Sequence, residues 1–330
     1  MTQKYLKYRV PLSTTTPKTA FINLARDLSA INRQLFRQTR TYRIKSIRVV
    51  DGDPDGSALF ACAPHTWAMK NSLSRAYRRW NEMNAQVLKD QPSLKGKWND
   101  FKPYLTYEHQ QAARGQGGFD ILVPQDIGGE SLAYGDWQAS VFESPDGTSS
   151  SNGYTVGLLG RAIGSPGAFE YVGLIESYGN TRNTIQDNPN VSVGLASEDP
   201  LLNLLDAGTQ FDEVAANIME ENDLPPYATA LPNGPGASYV GGFDNMKHPL
   251  QFGEVSSNDD RANPVFYNID VPLGIVQIDH QTFTGTTSFT IIIEVASGDY
   301  KGVHSESLVD TRTQTWVSPS KGGKNTKRLN

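Results

Sequence analysis

Short apolar runs fenced by turn residues set the tightest limit on what this chain can fold into. They fall at Phe119–Val123, Trp137–Phe142, Tyr154–Leu159 and Phe169–Glu176, and again at Val265–Asp270, Gly274–Asp279 and Thr287–Val295. Clusters of Gly, Ser, Pro and Asp divide them, among them the stretch from Ser144 to Gly153. Strand-length segments at this spacing specify a mainly β architecture, a sandwich or a jelly roll. In the last run Phe289, Ile291, Ile293 and Val295 alternate with Thr290, Ile292 and Glu294. Even the alternate positions are partly apolar, so this strand is expected at the centre of a sheet.

The N-terminal third has a different character. Phe21, Leu24, Leu28, Ile31 and Leu35 recur in steps of three and four, which predicts an amphipathic helix with Thr16 as cap and Pro17 at its first position. Arg26, Arg33, Arg37 and Arg40 recur at helical spacing roughly opposite that stripe. The β-branched run Tyr42–Val50 follows as a strand carrying Arg43, Lys45 and Arg48. Upstream, residues 1–16 read as an extended or mobile arm with Lys4, Lys7 and Arg9. A second helix is expected over Thr66–Leu88, burying Leu73, Tyr77, Trp80, Met83 or Asn84, and Val87. Residues 91–108 interleave aromatics with lysines, a mixture that either stacks on bases or forms a packed connector; the connector is the plainer reading. Further on, a helical insertion is predicted over about 199–223, followed by a long loop over 224–253 rich in Pro, Gly and Asn.

Charge is divided unevenly along the chain. Residues 1–120 hold 20 Lys and Arg against 9 Asp and Glu, whereas residues 121–300 hold 4 against 24. The last ten residues add Lys321, Lys324, Lys327 and Arg328 with no acid. Such a split suits one surface for a polyanion and another for solvent or neighbours. Three regions follow: a basic arm, helix and first strand over 1–50, a β domain over 51–317, and a basic tail over 318–330. The expected anion contacts are Lys4, Lys7, Arg9, Arg26, Arg33, Arg37, Arg40, Arg43, Lys45 and Arg48.

Little argues for catalysis or a cofactor. The phosphate-loop, Gly-x-Ser-x-Gly and His-Glu-x-x-His patterns are missing, and the five histidines stand singly without ligand spacing. Asp51–Gly56 resembles the opening of a calcium loop, but the twelfth position, where a bidentate Glu is needed, is Cys62. The segment is read as a turn. Asp259 and Asp260 near Glu254 read as solvated acids and not as a cation site. Cys62, being the single cysteine, excludes an internal disulfide. No apolar run approaches the ~18 residues of a membrane span, so no membrane partner is expected. The N-terminus lacks the apolar core of a signal peptide, which suggests folding in a cytoplasm-like compartment.

Several short segments carry a family resemblance. Glu221–Tyr227 (Glu-Asn-Asp-Leu-Pro-Pro-Tyr), the loop after it, Pro272–Ile278 and Gly298–Val303 are similar to segments of one viral family. So are Pro64–Met69 and Trp98–Lys102. The chain resembles capsid proteins of environmental circular Rep-encoding single-stranded DNA viruses over about residues 64–303. The resemblance implies a single jelly-roll β-sandwich, many copies of which close an icosahedral shell around the genome. It implies no enzyme activity and no cofactor. Its implied partners are further copies of the chain, a single-stranded DNA genome and a host receptor, in a virion assembled inside the host cell. Many such proteins begin with a long, dense Arg/Lys tail, whereas here the cations are spread over predicted helix and strand. A different class, a β-sandwich glycan- or receptor-binding module, fits the aromatics Tyr134, Trp137, Tyr239 and Phe243 but leaves the basic helix unexplained. A hydrolase on a β scaffold lacks a paired acid and base.

Overall fold

A computed structural model describes residues 2–11, 18–50, 57–94, 96, 98–145, 151–165, 168–180, 241–242, 247–255, 264–280 and 288–309. In chain order the elements are β1 (Tyr5–Pro11), β2 (Lys18–Asn23), α1 (Leu24–Asn32), β3 (Arg40–Val50), β4 (Ala58–Cys62), α2 (Trp67–Asp90), α3 (Tyr107–Ala113) and β5 (Asp120–Ile121). There follow β6 (Val141–Pro145), β7 (Ser151–Gly157), β8 (Ile163–Ser165), β9 (Ala168–Gly173) and α4 (Leu174–Asn180). The chain ends its described part with β10 (Leu250–Val255), β11 (Val265–Pro272), β12 (Ile275–His280), β13 (Ser288–Val295) and β14 (Ser305–Ser307). The protein is mainly β, its antiparallel sheets curled into a half-barrel.

Two large sheets form the frame. The first has the order β1-β13-β3-β11, with β14 paired to one end of β3. The second has the order β10-β4-β12-β2-β5. Alternation along each strand sends one set of side chains inward. Leu6, Tyr8 and Val10 of β1, Phe289, Ile291 and Ile293 of β13, and Ile44, Ile47 and Val49 of β3 meet Ile22, Phe60, Val276 and Ile278 of the second sheet in the main core. β13 lies between β1 and β3, the central place its apolar alternation predicts. The basic strand β3 lies between β13 and β11, inside the same sheet.

Strand β2 of the second sheet is buried on both faces, and this corrects the N-terminal reading. Ala20, Phe21, Ile22 and Asn23 are all buried. Ala20 and Ile22 face the main core, while Phe21 belongs to a second cluster built on Met69, Leu73, Tyr77 and Trp80 of α2 with Phe101 and Phe142. A strand covered on both sides has no polar alternate positions, so Phe21 could be threaded onto a helical stripe. The helix begins only at Leu24, where the Asn23 side chain accepts a hydrogen bond from Arg26 N at 3.0 Å. It ends at Arg33, whose φ of 53° is left-handed. Leu35, Arg37 and Arg40 therefore leave the predicted helix for a loop and the start of β3. Thr16 and Pro17, the expected cap, lie outside the described residues, as do the turn 51–56, the insertion 199–223, most of the loop 224–253 and the tail 318–330. Of the arm read as extended or mobile, Tyr5–Pro11 is extended and forms a strand on one edge of the first sheet.

The helix over 66–88 is found as α2, with the Thr66 side chain accepting from Met69 N at 3.2 Å. Its last turns run out beyond the core, and Val87, expected to be buried, is 53% exposed. A tight turn between β11 and β12 carries the chain from one sheet to the other. Gly274 N donates to Val271 O at 3.2 Å, Pro272 presets its own φ, and Leu273 takes φ 60°, a place that usually favours Gly or Asn. Complete burial of the Leu273 side chain offsets that strain.

Candidate nucleic-acid interface

One face of the first sheet is left open. On β1, Tyr5, Lys7 and Arg9 alternate with buried Leu6, Tyr8 and Val10, so all three point away from the core. Strand register sets them in rows. Lys7 lies opposite Ile292, Ile292 opposite Arg48, and Arg48 opposite Val265. The neighbouring row runs Tyr5, Glu294, Ser46, Tyr267. Strands lie about 4.8 Å apart, which puts Lys7 and Arg48 about 10 Å from each other across the face. Tyr5 is 58% exposed and Tyr267 66%, so an aromatic ring stands free toward each side.

Two carboxylates on this face, Glu294 and Asp270, are paired with the chain's own cations, whereas Glu306 of β14, near Arg43, meets only His304 at 3.9 Å. Glu294 accepts hydrogen bonds from Lys45 Nζ at 2.8 Å and Tyr5 Oη at 3.0 Å. The Lys45 hydrogen bond, chiefly, holds its carboxyl below the usual carboxylate range. Asp270 receives both Arg43 Nε and Nη2 at 2.8 Å, and this fork depresses its pKa in turn. Lys7 and Arg48 make no ion pair among the described residues, and Arg9 donates only to the Ser288 hydroxyl at 2.7 Å. Among the described residues, these three cations outnumber Glu306, the carboxylate of this face that no Lys or Arg pairs.

The ten expected anion contacts thus separate into distinct groups. Lys7, Arg9 and Arg48 share the open face, with the paired Arg43 and Lys45 beside them. Lys4 donates to the Ser297 hydroxyl at 2.5 Å, just before β1. Arg26 is not a surface group. Only 4% exposed, it is paired with Asp27 at 2.7 Å and lies 4.3 Å from the centre of the Tyr134 ring. Arg37 is committed to the buried carboxylate of Asp100 at 3.0 Å. Arg40 donates to Ser305 Oγ at 2.9 Å and to the Ser305 carbonyl at 2.6 Å, over the Tyr300 ring at 3.8 Å. Arg33, exposed at the end of α1, lines a cavity on a different part of the surface. Of the four arginines that the helical spacing grouped, only Arg26 lies in α1, which is nine residues long.

Tyr5 and Tyr267 were not among the expected contacts. The signal for Tyr5 was its two-residue spacing from Lys7 and Arg9, a strand pattern inside what reads as an arm. Tyr267 had no comparable signal, because only the register with β3 brings it to this face.

His109, like His280, is buried. It stacks on Phe21 at 4.7 Å, and its Nδ1 accepts from Leu105 N at 3.2 Å. Burial, with Arg26 adding to it, pushes its pKa down to about 3. The folded state therefore keeps the ring neutral while the unfolded chain protonates below about 6.5. Stability contributed by His109 is full above that value and is lost as the pH falls toward about 3. In urea titrations through this window, His109→Gln is expected to lose less stability on acidification than the parent; equal losses would remove His109 as a cause.

No group of three or more His, Cys, Asp or Glu that could hold a metal occurs among the described residues, and no described helix is long and apolar enough to cross a membrane. Asp259 and Asp260 lie outside the described residues. No family model, curated protein or solved structure matches this chain.

Proposed function

We propose that this chain is a jelly-roll capsid subunit that self-assembles into an icosahedral shell and packages a genome through contacts to phosphate without sequence readout. The observation that carries the packaging role is the open sheet face, where Lys7, Arg9 and Arg48 have no carboxylate partner among the described residues and two exposed tyrosines flank them. A surface of this kind neutralises phosphates and releases counterions, and its rings can stack on bases. It lies on ordered strands and not on a disordered tail.

Strand pairing supports the jelly roll. Counting β1, β2, β3, β4, β10, β11, β12 and β13, the strands of the two large sheets apart from the short β5 and β14, from one to eight, the first pairs with the eighth, the second with the seventh, the third with the sixth and the fourth with the fifth. Consecutive strands one to four alternate between the two sheets. That nested pattern is a long hairpin wrapped into two Greek keys, the construction of a jelly roll. Helices α1 to α4 and the third sheet, ordered β6-β7-β9-β8, then sit between strands of the wrapped hairpin. Under this reading the partners are other copies of the chain, a single-stranded DNA genome and a host receptor, and the mature location is the virion.

Negative-stain electron microscopy of the purified full-length protein, with the absorbance ratio at 260 and 280 nm on the same fraction, tests both halves. Closed particles with a nucleic-acid ratio are expected. A small species at every salt concentration would sink the shell reading in favour of a glycan- or receptor-binding module. Closed but empty particles would remove the packaging role of the sheet face.

A further inference from the structure

The segment between β5 and β6 carries an acidic turn with an apolar tip. Asp126 N donates to Glu130 O at 2.9 Å, Gly129 N to Asp126 O at 3.2 Å, and Glu130 N to Asp126 Oδ1 at 2.9 Å. Below the turn, Leu132 N donates to Pro124 O at 2.8 Å, and Gln125 N ties the base to the carbonyl of Lys7 on β1 at 2.7 Å. Ile127 stands at the tip, 103% exposed, more than any other large apolar side chain among the described residues. Asp126 and Glu130 flank it and are exposed too. Single apolar side chains are common on surfaces, but this one is held out on a backbone already fixed by hydrogen bonds, so docking it costs little ordering of the loop.

A cavity of about 410 Å³ opens nearby, between α1, the segment 98–102 and the loop 133–137. Leu35, Tyr134 and Trp137 give it apolar walls, and Arg33 and Lys102 give it cations. Among the described residues neither cation joins an ion pair, and Asp136 is the one acid of the lining. The Lys102 ammonium lies 4.6 Å from the centre of the Trp137 ring.

We propose that the Ile127 turn and this cavity are the knob and hole of a contact between two copies of the chain. The isoleucine leaves water for the apolar walls, and the flanking carboxylates of Asp126 and Glu130 answer Arg33 and Lys102. A neutral or basic segment would fill the same space but leave the two cations without counter-charge, so the acidic turn of a second copy fits better. Ile127 is separated from Ala133 of the cavity lining by a chain length of at most about 20 Å, which places knob and hole near each other on the surface. A two-fold axis between two copies then seats both knobs at once, the isologous arrangement in which each copy gives and receives the same contact. The inference rests on the self-assembly reading and names one contact that assembly would use.

Disulfide trapping between two full-length variants, Ile127→Cys at the knob and Gln34→Cys in the cavity lining, tests the contact. Cys62 does not compete, because it is buried and burial pushes its thiol up to about 12. Mild oxidation of the mixture is expected to give a cross-linked dimer, seen on a non-reducing gel, that neither variant gives alone. Sedimentation velocity supplies the second reading: Ile127→Ala is expected to weaken association between copies at least about tenfold. Its circular dichroism should match the parent's, since the side chain is fully exposed in the single copy. A mixture without the cross-linked dimer, or Ile127→Ala associating like the parent, overturns the proposal. Closed particles that form as readily from Ile127→Ala as from the parent would leave the shell reading standing and this contact wrong. Dimers that require Ile127 but never close into particles would uphold the contact and sink the shell.

Discussion

Arg26→Gln is expected to destabilise the protein by about 3–5 kcal/mol, the cost of leaving a buried partner charge uncompensated. Arg26 occupies the first turn of α1, and its guanidinium reaches both Asp27 and the carbonyl of Leu122. Asp27 is fully buried and also accepts from Tyr8 Oη at 2.7 Å, so helix, edge strand and the segment after β5 converge on one ion pair. Glutamine keeps some hydrogen-bonding capacity but no charge. Burial already pushes the Asp27 carboxyl up from its ordinary value, with Arg26 and Tyr8 pulling it down. Removing Arg26 raises it further. A carboxyl whose folded pKa is raised costs stability as the pH rises above the unfolded value, so the deficit of Arg26→Gln should shrink on acidification. Urea unfolding near neutral pH and at mildly acidic pH, followed by circular dichroism, measures both effects. A variant with the parent's midpoint at neutral pH would show that the pair contributes nothing. Arg48→Gln is the control, with a change expected within about 0.5 kcal/mol because it lies on an exposed face and joins no ion pair among the described residues.

The contrast between Arg26 and Arg48 marks where sequence reading succeeds. Alternation in β13 and the turn-fenced runs are local patterns, and they identify strands because burial imposes a two-residue period on a sheet with one covered side. The same logic fails on β2, where α2 and its neighbours cover the second face. With both sides of Ala20–Asn23 buried, no polar alternation is left to read. In β1 the alternation of Tyr5, Lys7 and Arg9 with Leu6, Tyr8 and Val10 is present, but without sight of its partner β13 a short basic segment near a terminus reads as an arm. Spacing shows that a residue type recurs, not which carboxylate lies within reach. Asp27 sits beside Arg26 in sequence, while Asp100 and Asp270 come from distant segments to neutralise Arg37 and Arg43. The cavity was still less legible. Its rings and cations come from α1, 98–102 and 133–137, and only the fold brings them together.

For the open sheet face, the variant Lys7→Gln/Arg9→Gln/Arg48→Gln is expected to lower the steepness of salt-dependent binding to single-stranded DNA. Each phosphate contact contributes about 0.7 to the slope of log affinity against log salt, so three lost contacts reduce it by about 2. The effect should be close to additive, because none of the three shares a carboxylate with another. The pairs Arg43–Asp270 and Lys45–Glu294 provide an internal comparison. The double variant Arg43→Gln/Asp270→Asn removes a cation together with its counter-charge and leaves the net charge of the face unchanged. Its slope should match the parent's. Fluorescence anisotropy of a labelled single-stranded oligonucleotide across a salt series reads both variants. An unaltered slope in the triple variant would move the phosphate contacts off this face. A loss of about 0.7 in the double variant, a third of that in the triple, would mean that the number of cations, and not their freedom from carboxylates, governs binding. The expected difference between the variants has one physical source: a guanidinium already held by a carboxylate must give up that pair before it can neutralise a phosphate, whereas Lys7, Arg9 and Arg48 can displace the cations condensed on the DNA directly.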